Sequence, residues 1–332
     1  MASVYYDGNA VDTTSKDQLS GEILNKIVAQ EIESKVFGDI FGVFTRKLLD
    51  TGKQVEEIEV ANLESSNFDP AGTNPLTKAD LTVAVLYHKI NRQRTFKTTV
   101  SNAQVRQAMM SREKMADLAN AITNELYNSS AIEDFEAIKQ LFKDIAMEQK
   151  KMVICDLNGN GADMDALTKT IQTLATNMTL PSTQYNFSGF KKEFNPKEDL
   201  VLIIDGATRA RLNVDSLANA FNMDKKELVG NIIVIDDMPD IEYTNEKATK
   251  GLEINIGETN NVIMYKPNAA AETTVSGKAV CILLNKKAII RDPVEREVED
   301  QRNAKGRFTN YFLHATDMLS YSTLRNAVVL VD

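Results

Sequence analysis

The chain has 332 residues, enough for one large domain or two modest ones, of which 43% are hydrophobic and 26% charged. Its formal net charge of −9 argues against a chain that wraps around nucleic acid, because that role needs clustered Lys and Arg. No apolar run reaches the roughly 18 residues of a membrane span, and the first residues lack the regions of a signal peptide, so synthesis and folding in the cytosol are expected.

Residues 1–17 are polar and lack periodicity, which predicts an extended N-terminal arm. From Lys16 to about Phe37 apolar residues recur at helical spacing and predict an amphipathic helix. Its apolar rows are Leu19, Ile23, Ile27 and Leu24, Val28, Ile32. Gly38 and Gly42 are expected to end this regular stretch.

Residues 53–100 change to the alternation of a strand. Ile58 and Val60 alternate with acids, and a second run alternates at Leu81, Val83, Val85 and Tyr87. Between the two runs, residues 62–80 are rich in turn signals. The pattern predicts a long hairpin.

The predicted hairpin has a lopsided charge. Acids occur along one limb and bases along the other: Glu56, Glu57, Glu59 and Glu64, against Lys89, Arg92, Arg94 and Lys97. Cross-strand ion pairs within the hairpin explain this pattern. Contacts between each limb and an oppositely charged neighbouring subunit explain it equally well, so both interpretations stay open.

Helical spacing returns at Ser111. Two apolar stripes follow, the first being Met115, Leu118, Ala119, Ile122 and Leu126, and the second Ile132, Phe135, Ile138, Leu141, Phe142 and Ile145. Ser130 and Glu133 fit a capping box, so either two helices abut at residues 128–130 or one helix kinks there. At 1.5 Å per residue the combined element would span on the order of 50 Å, which suits a spine through a flattened domain.

The second half of the chain alternates strands and helices. Strands are predicted at 200–204, 231–235, 279–284, 288–298, 307–320 and 327–331, and helices at 164–174, 207–212 and 214–221. The turn residues Asn303–Gly306 predict a hairpin between the two longest strands. The fold class is therefore mixed α+β.

Two cysteines, Cys155 and Cys281, lie beside apolar residues and are expected to be buried free thiols. The two histidines, His88 and His314, are expected within strands. So few His and Cys residues cannot build the usual zinc site or catalytic triad.

One short segment resembles a calcium-binding loop. Asp156, Asn158, Asn160 and Gly161 match its first, third, fifth and sixth positions, but Leu167 stands where a bidentate Glu is required. A partial cation site at Asp156, Asn158 and Asn160 is one interpretation. The other is a connector whose Asp163 caps the next helix.

A carboxylate cluster follows the strand at 231–235. Asp236, Asp237 and Asp240 could hold magnesium in an enzyme, but no phosphate-binding loop accompanies them, which favours an exposed turn. Arg209 and Arg211 could bind an anion or lie on a solvated helix face. Apart from these weak candidates, the sequence predicts no catalytic site, metal site or cofactor.

The order of elements resembles the coat-protein fold of tailed phages, the Hong Kong 97 fold. A polar arm, a charged hairpin, a spine helix, an α/β segment and long closing strands follow one another. The likeness extends to Leu200–Leu212, to Gly230–Pro239 and to Lys286–Pro293, which is similar to the strand that returns to the peripheral domain. The resemblance covers the chain from about residue 15, and it rests on the pattern of apolar strands, helices and turns rather than on catalytic motifs.

The resemblance implies five regions: an N-terminal arm and helix (1–50), an E-loop hairpin (51–100), a spine helix of the peripheral domain (101–150), an axial domain (151–280) and returning peripheral strands (281–332). It implies a non-enzymatic major capsid protein in the virion, assembled in the host cytoplasm into hexamers and pentamers of an icosahedral shell. Portal and a separate scaffolding protein are implied partners. The shell would enclose DNA without sequence-specific binding, cofactor or membrane.

The hairpin and the N-terminal helix would then bury their apolar residues on sister copies, and deletion of 62–80 is expected to leave a soluble subunit that assembles poorly. The alternatives are an encapsulin-like compartment shell, a different virion component such as a tail-tube or decoration protein, and a carboxylate–metal enzyme at Asp236, Asp237 and Asp240.

Overall fold

The computed structural model describes residues 5–6, 9–10, 36–49, 52–63, 65, 67–68, 70, 78, 80–101, 112–148, 151–157, 159, 161–212, 231–238, 240–241, 248–255, 261–267 and 277–332. The strands are β1 (Tyr5–Tyr6), β2 (Asn9–Ala10), β3 (Gln54–Val60), β4 (Val83–Lys89), β5 (Arg92–Ser101), β6 (Val153–Asp156), β7 (Leu200–Asp205), β8 (Ile232–Ile235), β9 (Asp240–Ile241), β10 (Ala248–Asn255), β11 (Asn261–Pro267), β12 (Gly277–Asn285), β13 (Ile289–Asn303), β14 (Phe308–Tyr321) and β15 (Ala327–Val331). The α-helices are α1 (Arg112–Lys143), α2 (Met164–Asn177) and α3 (Gly206–Arg211). Short 3-10 helices occur at Gly42–Phe44 and Lys197–Asp199.

The largest sheet in the described part of the chain has eight strands. Its order is β10–β11–β6–β15–β12–β7–β8, and β9 pairs with β12. The β6–β15 and β7–β8 pairs are parallel, and the others are antiparallel. Residues Leu200–Ile204 and Ala327–Val331 are buried without interruption, as expected for central strands that are covered on both faces.

The two cysteines are separated by one strand of this sheet. Cys155 on β6 and Cys281 on β12 both pair with Leu330 on β15. Adjacent strands lie about 4.8 Å apart, so the two Cα atoms are roughly 10 Å apart, beyond the reach of a disulfide. Both cysteines are free and buried, which confirms the prediction.

A second sheet contains β13, β14 and β5 in that order. β13 and β14 form the hairpin predicted from the turn residues Asn303–Gly306. In this turn Gly306 N donates to Asn303 Oδ1 across 2.8 Å, and Arg307 takes a left-handed φ of 53°. β5 pairs with β14 from Ser101 to Arg92. The strand predicted as the second limb of the 53–100 hairpin therefore divides in two, because β4 pairs with β3 while β5 pairs with β14.

α1 is a single helix of 32 residues followed by a π-helical turn at Asp144–Glu148. The predicted capping box at Ser130 is not used, so the two-helix alternative is wrong. Ser129 Oγ instead donates to Glu125 O one turn earlier, and Ser130 is buried inside the helix. Glu133, the other half of the box, accepts from Arg94 on β5.

The segment 36–49 packs on α1 through aromatic rings. Phe41 stacks on Phe135 at 5.5 Å between ring centroids and lies 6.1 Å from Phe142. Phe37 meets Phe135 edge-on. The amphipathic helix predicted from Lys16 to Phe37 lies almost entirely outside the described residues, as does the helix predicted at 214–221.

The remaining predicted elements of the second half are confirmed. β7, β8, β12, β13, β14, β15, α2 and α3 cover the predicted segments with small differences at their ends. Asp163 caps α2 as expected, since its side chain accepts from the backbone N–H of Asp165 and Ala166. Within the described residues no helix is both long enough and apolar enough to cross a membrane.

Candidate inter-subunit surface

The β3–β4 hairpin has two unlike faces. Its strands pair from Gln54 opposite Lys89 to Val60 opposite Val83. Because side chains alternate along a strand, every second cross-strand pair shares a face. The outward face carries the exposed pairs Glu56 and Tyr87, Ile58 and Val85, and Val60 and Val83.

The outward face is largely apolar and exposed. Ile58 is 58% exposed and Tyr87 is 57% exposed, whereas core residues of the eight-stranded sheet are close to zero. Beyond the paired strands, Leu63 and Phe68 are 85% and 89% exposed. Exposed apolar surface of this kind makes the outward face a candidate for contact with another molecule.

The inward face carries Glu57 and Glu59, which bind cations of the same subunit. Arg325 Nη2 lies 2.9 Å from Glu57 Oε1, and Arg325 Nη1 lies 3.3 Å from Glu59 Oε1. Lys191 Nζ lies 3.4 Å from the same oxygen of Glu59. Burial alone would raise the pKa of Glu57, but hydrogen bonding to His88 and the charge of Arg325 outweigh it and hold that pKa at about 2.

Of the bases predicted on the second limb, Lys89 ends β4, and Arg92, Arg94 and Lys97 lie on β5. Arg92 Nη1 binds Asp134 Oδ1 of α1 at 2.7 Å, and Arg94 Nε binds Glu133 Oε1 at 2.5 Å. Lys97 Nζ lies 5.6 Å from the centre of the Phe312 ring on β14. Arg92 and Arg94 thus attach α1 to the three-stranded sheet, and the described contact of Lys97 is made within that sheet.

The predicted cross-strand ion pairs between the acids and the bases of this hairpin are therefore wrong: none occurs among the described ion pairs. The physical reason is that β5 leaves the hairpin and joins β14, which carries Arg92, Arg94 and Lys97 away from β3. Glu56 instead accepts a cross-strand hydrogen bond of 3.1 Å from Tyr87 Oη. Glu56, Lys89, Arg94 and Lys97 are exposed, so the predicted contacts with a neighbouring subunit remain a proposal for them.

Arg325 and Glu193 are part of this region, but sequence reasoning missed both. Arg325 Nη1 also lies 3.8 Å from Glu193 Oε1. Burial raises the pKa of Glu193 to about 7, and the opposing charge of Arg325 offsets only part of that effect. Arg325 is isolated from other charges in the sequence, and Glu193 follows Lys191 and Lys192. No local pattern indicates that these two residues meet.

The residues considered for metals do not converge in the described part of the chain, where no group of three His, Cys, Asp or Glu residues could hold an ion. Asp156 ends β6, while Asn158 and Asn160 of the predicted cation loop lie outside the described residues. Asp236 binds Lys139 at 2.6 Å and Asp237 binds Lys278 at 3.4 Å. These two carboxylates thus serve separate ion pairs at the surface.

The family profile of the Phi29-like phage major capsid protein matches residues 8–331. The chain belongs to this family. As a member of a phage major capsid protein family it is a component of the virion. The fold is the α+β Hong Kong 97-type capsid fold, which confirms the resemblance.

Relatives and solved structures agree with this assignment. The chain is 26% identical to the major capsid protein of Bacillus phage GA-1 over 98% of its own length and 62% of that protein's length. It is 23% identical to the major capsid protein of Streptococcus phage Cp-1, over 92% of this chain and 80% of that protein. The capsid structure of Staphylococcus phage Andhra matches with a TM-score of 0.69 at 15% identity, covering 92% of this chain and 87% of that one.

Proposed function

We propose that this capsid protein is the structural subunit of an icosahedral phage head shell, built from hexamers and pentamers of the chain. Membership of the family and the capsid fold support this function. The chain spans about 62% of the length of its GA-1 relative. The role of the whole GA-1 protein is therefore carried over to this chain only as a proposal. The encapsulin-like alternative has no support from the family match.

The observation that carries the proposal is the apolar outward face of the β3–β4 hairpin. Ile58, Val60, Val83, Val85 and Tyr87 form one exposed surface that the described part of the subunit leaves uncovered. A second copy of the chain is its proposed occupant, because a shell supplies such a neighbour to every subunit. Burying this surface would drive association by the hydrophobic effect.

Charged residues around this surface are proposed to orient the contact. Glu56, Lys89, Arg94 and Lys97 are exposed, so a neighbouring copy can reach them, although Arg94 also binds Glu133 of its own subunit. Glu57, Glu59 and Arg92 have partners within the subunit, so we propose that they contribute by holding the contacting elements in place. Electrostatic complementarity of this kind favours the correct register over raw affinity.

We propose the arm (1–50), hairpin (51–100), spine (101–150), axial (151–280) and returning (281–332) regions as the functional divisions of the subunit. Membership of β15 in the eight-stranded sheet supports assigning 327–331 to the axial region instead. Portal, a separate scaffolding protein and enclosed DNA are further proposed partners. The separate ion pairs of Asp236 and Asp237 support a purely structural role over a carboxylate–metal enzyme.

The test replaces apolar groups of the outward face by polar ones of similar shape. The double variant Ile58→Thr, Val85→Thr keeps β-branched residues in paired strands. We expect the unassembled subunit to keep the thermal stability of the wild type, because both side chains are exposed. Particle yield, measured by sedimentation and electron microscopy, should fall about tenfold or more.

The matched control is Val234→Thr on β8, a strand position with a similarly exposed valine. This variant should assemble like the wild type. Wild-type particle yield from the hairpin double variant would overturn the proposal that the hairpin covers a neighbour.

A second test removes the segment beyond the paired strands. Ala61 N donates to Thr82 O across 2.9 Å, so a two-residue Asn-Gly turn in place of residues 62–81 can close the hairpin without strain. The shortened subunit should be soluble and folded but assemble poorly. Particles of normal size and yield would contradict the role assigned to residues 62–80.

A further inference from the structure

The inward face of the β3–β4 hairpin meets the rest of the subunit mainly through charges. Glu57 Oε1 accepts hydrogen bonds from Arg325 Nε at 3.1 Å and Nη2 at 2.9 Å, and Arg325 Nη1 donates to Glu59 Oε1 at 3.3 Å. One guanidinium thus binds two carboxylates of the same strand. Planar guanidinium groups restrict the orientation of bound carboxylates more than a Lys ammonium does.

Arg325 is mounted on a rigid part of the subunit. It lies in the turn between β14 and β15, where Ser322 N donates to Ala288 O across 2.8 Å and Ala327 N donates to Tyr185 O across 2.9 Å. The next residue, Asn326, accepts from Asn285 N of β12 across 2.9 Å. The backbone on both sides of Arg325 is therefore tied to the eight-stranded sheet and its neighbouring loop.

A second support comes from the loop at 182–193. Lys191 Nζ binds Glu59 at 3.4 Å, and Lys192 N donates to Asn62 Oδ1 across 2.7 Å. This loop is itself closed by the bridge between Ser182 and Glu193. The hairpin is thus held at its distal end as well as in its middle.

The other strand of the hairpin adds one more polar contact. His88 Nε2 lies 3.2 Å from Glu57 Oε2, and His88 Nδ1 lies 2.5 Å from Ser320 Oγ on β14. Apolar packing occurs at the base, where Val55 contacts the small cluster of Leu49, Ile290 and Met318. Farther from the base, Glu57, Glu59, Asn62 and His88 make polar side-chain contacts with the body.

We propose that Arg325 is the residue that positions the hairpin, so that its apolar outward face points at a neighbouring copy in the shell. Apolar packing on the small cluster holds the base of the hairpin at Val55, and the charged contacts of Glu57 and Glu59 hold its outer part. Loss of Arg325 would leave Glu57 and Glu59 buried with too few cations, which favours movement of the hairpin into solvent. The consequence for assembly rests on the proposed function; the positioning itself does not.

The test measures one distance in the unassembled full-length subunit. Spin labels are placed at Leu63→Cys on the hairpin and Lys169→Cys on α2, both at exposed positions, while the native cysteines are buried. The doubly labelled protein with Arg325 intact should give one narrow distance distribution by pulsed electron–electron double resonance. Arg325→Gln should broaden that distribution and lower the assembly rate about tenfold.

Three further variants separate positioning from general damage. Arg325→Lys should restore part of the narrow component because it keeps the charge. Arg302→Gln removes an exposed arginine at the far end of β13 and should leave the distribution narrow. If Arg325→Gln fails to fold, the double variant Glu57→Gln, Glu59→Gln removes the same contacts from the hairpin side and should broaden the distribution equally.

The outcomes distinguish this inference from the proposed function. A distribution that stays narrow in folded Arg325→Gln and in the Glu57→Gln, Glu59→Gln variant would overturn the positioning role. A broadened distribution together with normal assembly would leave Arg325 as the positioning residue but refute the role of the hairpin in the shell.

Discussion

The buried Asp134 on α1 and the half-buried Arg92 on β5 form an ion pair with 2.7 Å between Oδ1 and Nη1. Arg291 and Arg296 of β13 bind the other oxygen of Asp134 at 3.1 and 3.3 Å. A single carboxylate therefore joins the spine helix to two strands of the three-stranded sheet. Burial and the neighbouring charge of Asp134 raise the pKa of Asp317, which shares Arg92 and Arg296.

Asp134→Ala should lower the free energy of unfolding by about 3 kcal/mol, because it removes a buried carboxylate that binds three half-buried guanidinium groups. The measurement is urea denaturation of the unassembled subunit. Glu133→Ala is the matched control, since Glu133 is partly exposed and binds the exposed Arg94. That control should cost less than about 1 kcal/mol, and equal losses in the two variants would refute the importance of burial.

Glu193→Gln should remove a pH dependence of stability. Burial raises the pKa of Glu193 from 4.5 to about 7, against the charge of Arg325 and with a further contribution from Glu59. The folded state therefore holds the proton more tightly than the unfolded state, and this stability is present below pH 4.5 and lost as the pH rises through about 7.

The unfolding free energy of the wild type should thus fall relative to the Glu193→Gln variant between about pH 5 and about pH 8, by on the order of 2–3 kcal/mol. Urea denaturation at the two pH values measures the difference. Glu198→Gln changes an exposed carboxylate near the same loop and should follow the wild type. A Glu193→Gln curve parallel to the wild type would mean that Glu193 is ionised throughout.

Both native thiols should resist labelling in the folded protein. Cys155 and Cys281 are fully buried, and burial raises the pKa of each thiol. A maleimide reagent should therefore leave the folded subunit unmodified and label two sites after unfolding in guanidinium chloride. An introduced Val298→Cys, at a half-exposed position, should react at once, and rapid labelling of native protein without it would contradict the buried placement.

Gly277→Ala should destabilise the subunit through its contact with Asp332. A Cβ at residue 277 would lie 2.2 Å from the backbone oxygen of Asp332. The same segment is held by hydrogen bonds of 3.1 Å between Lys278 and Asp332 in both directions. We expect a loss of about 1–3 kcal/mol in thermal unfolding.

Gly206→Ala is the control for this substitution, because a Cβ there meets nothing within 4 Å. It lies at the first position of α3 and should be neutral or slightly stabilising. A Gly277→Ala subunit with the wild-type melting temperature would show that the backbone at Asp332 can move away from the added methyl group without loss of stability.

The predicted hairpin illustrates what sequence patterns can and cannot supply. Alternation at Ile58, Val60, Val83 and Val85 predicted β3 and β4, and both strands are confirmed. Alternation could not show that the chain continues into a different sheet at Arg92. That change depends on β14, which lies more than 200 residues away in the chain.

The spine helix gives a second example. Its length and its apolar spacing were predictable, because helical periodicity is a local property. The capping box at Ser130 also has a local physical basis, but it competes with an uninterrupted helix whose buried face packs on the sheet. Tertiary contacts of Asp134 and Glu133 with β5 decide that competition.

The sequence by itself determined most of the described strands and helices and their order, because the periods of 2 and 3.6 residues follow from local backbone geometry. The strands β6, β10 and β11 of the large sheet were not predicted. Together with the family resemblance, that order was sufficient for the capsid fold. Only the tertiary structure decided which charges meet. Arg325 and Glu57 are 268 residues apart in the chain and 2.9 Å apart in space. The energy of an ion pair depends on the distance between the charges and on their burial, and neither is a local property of the chain.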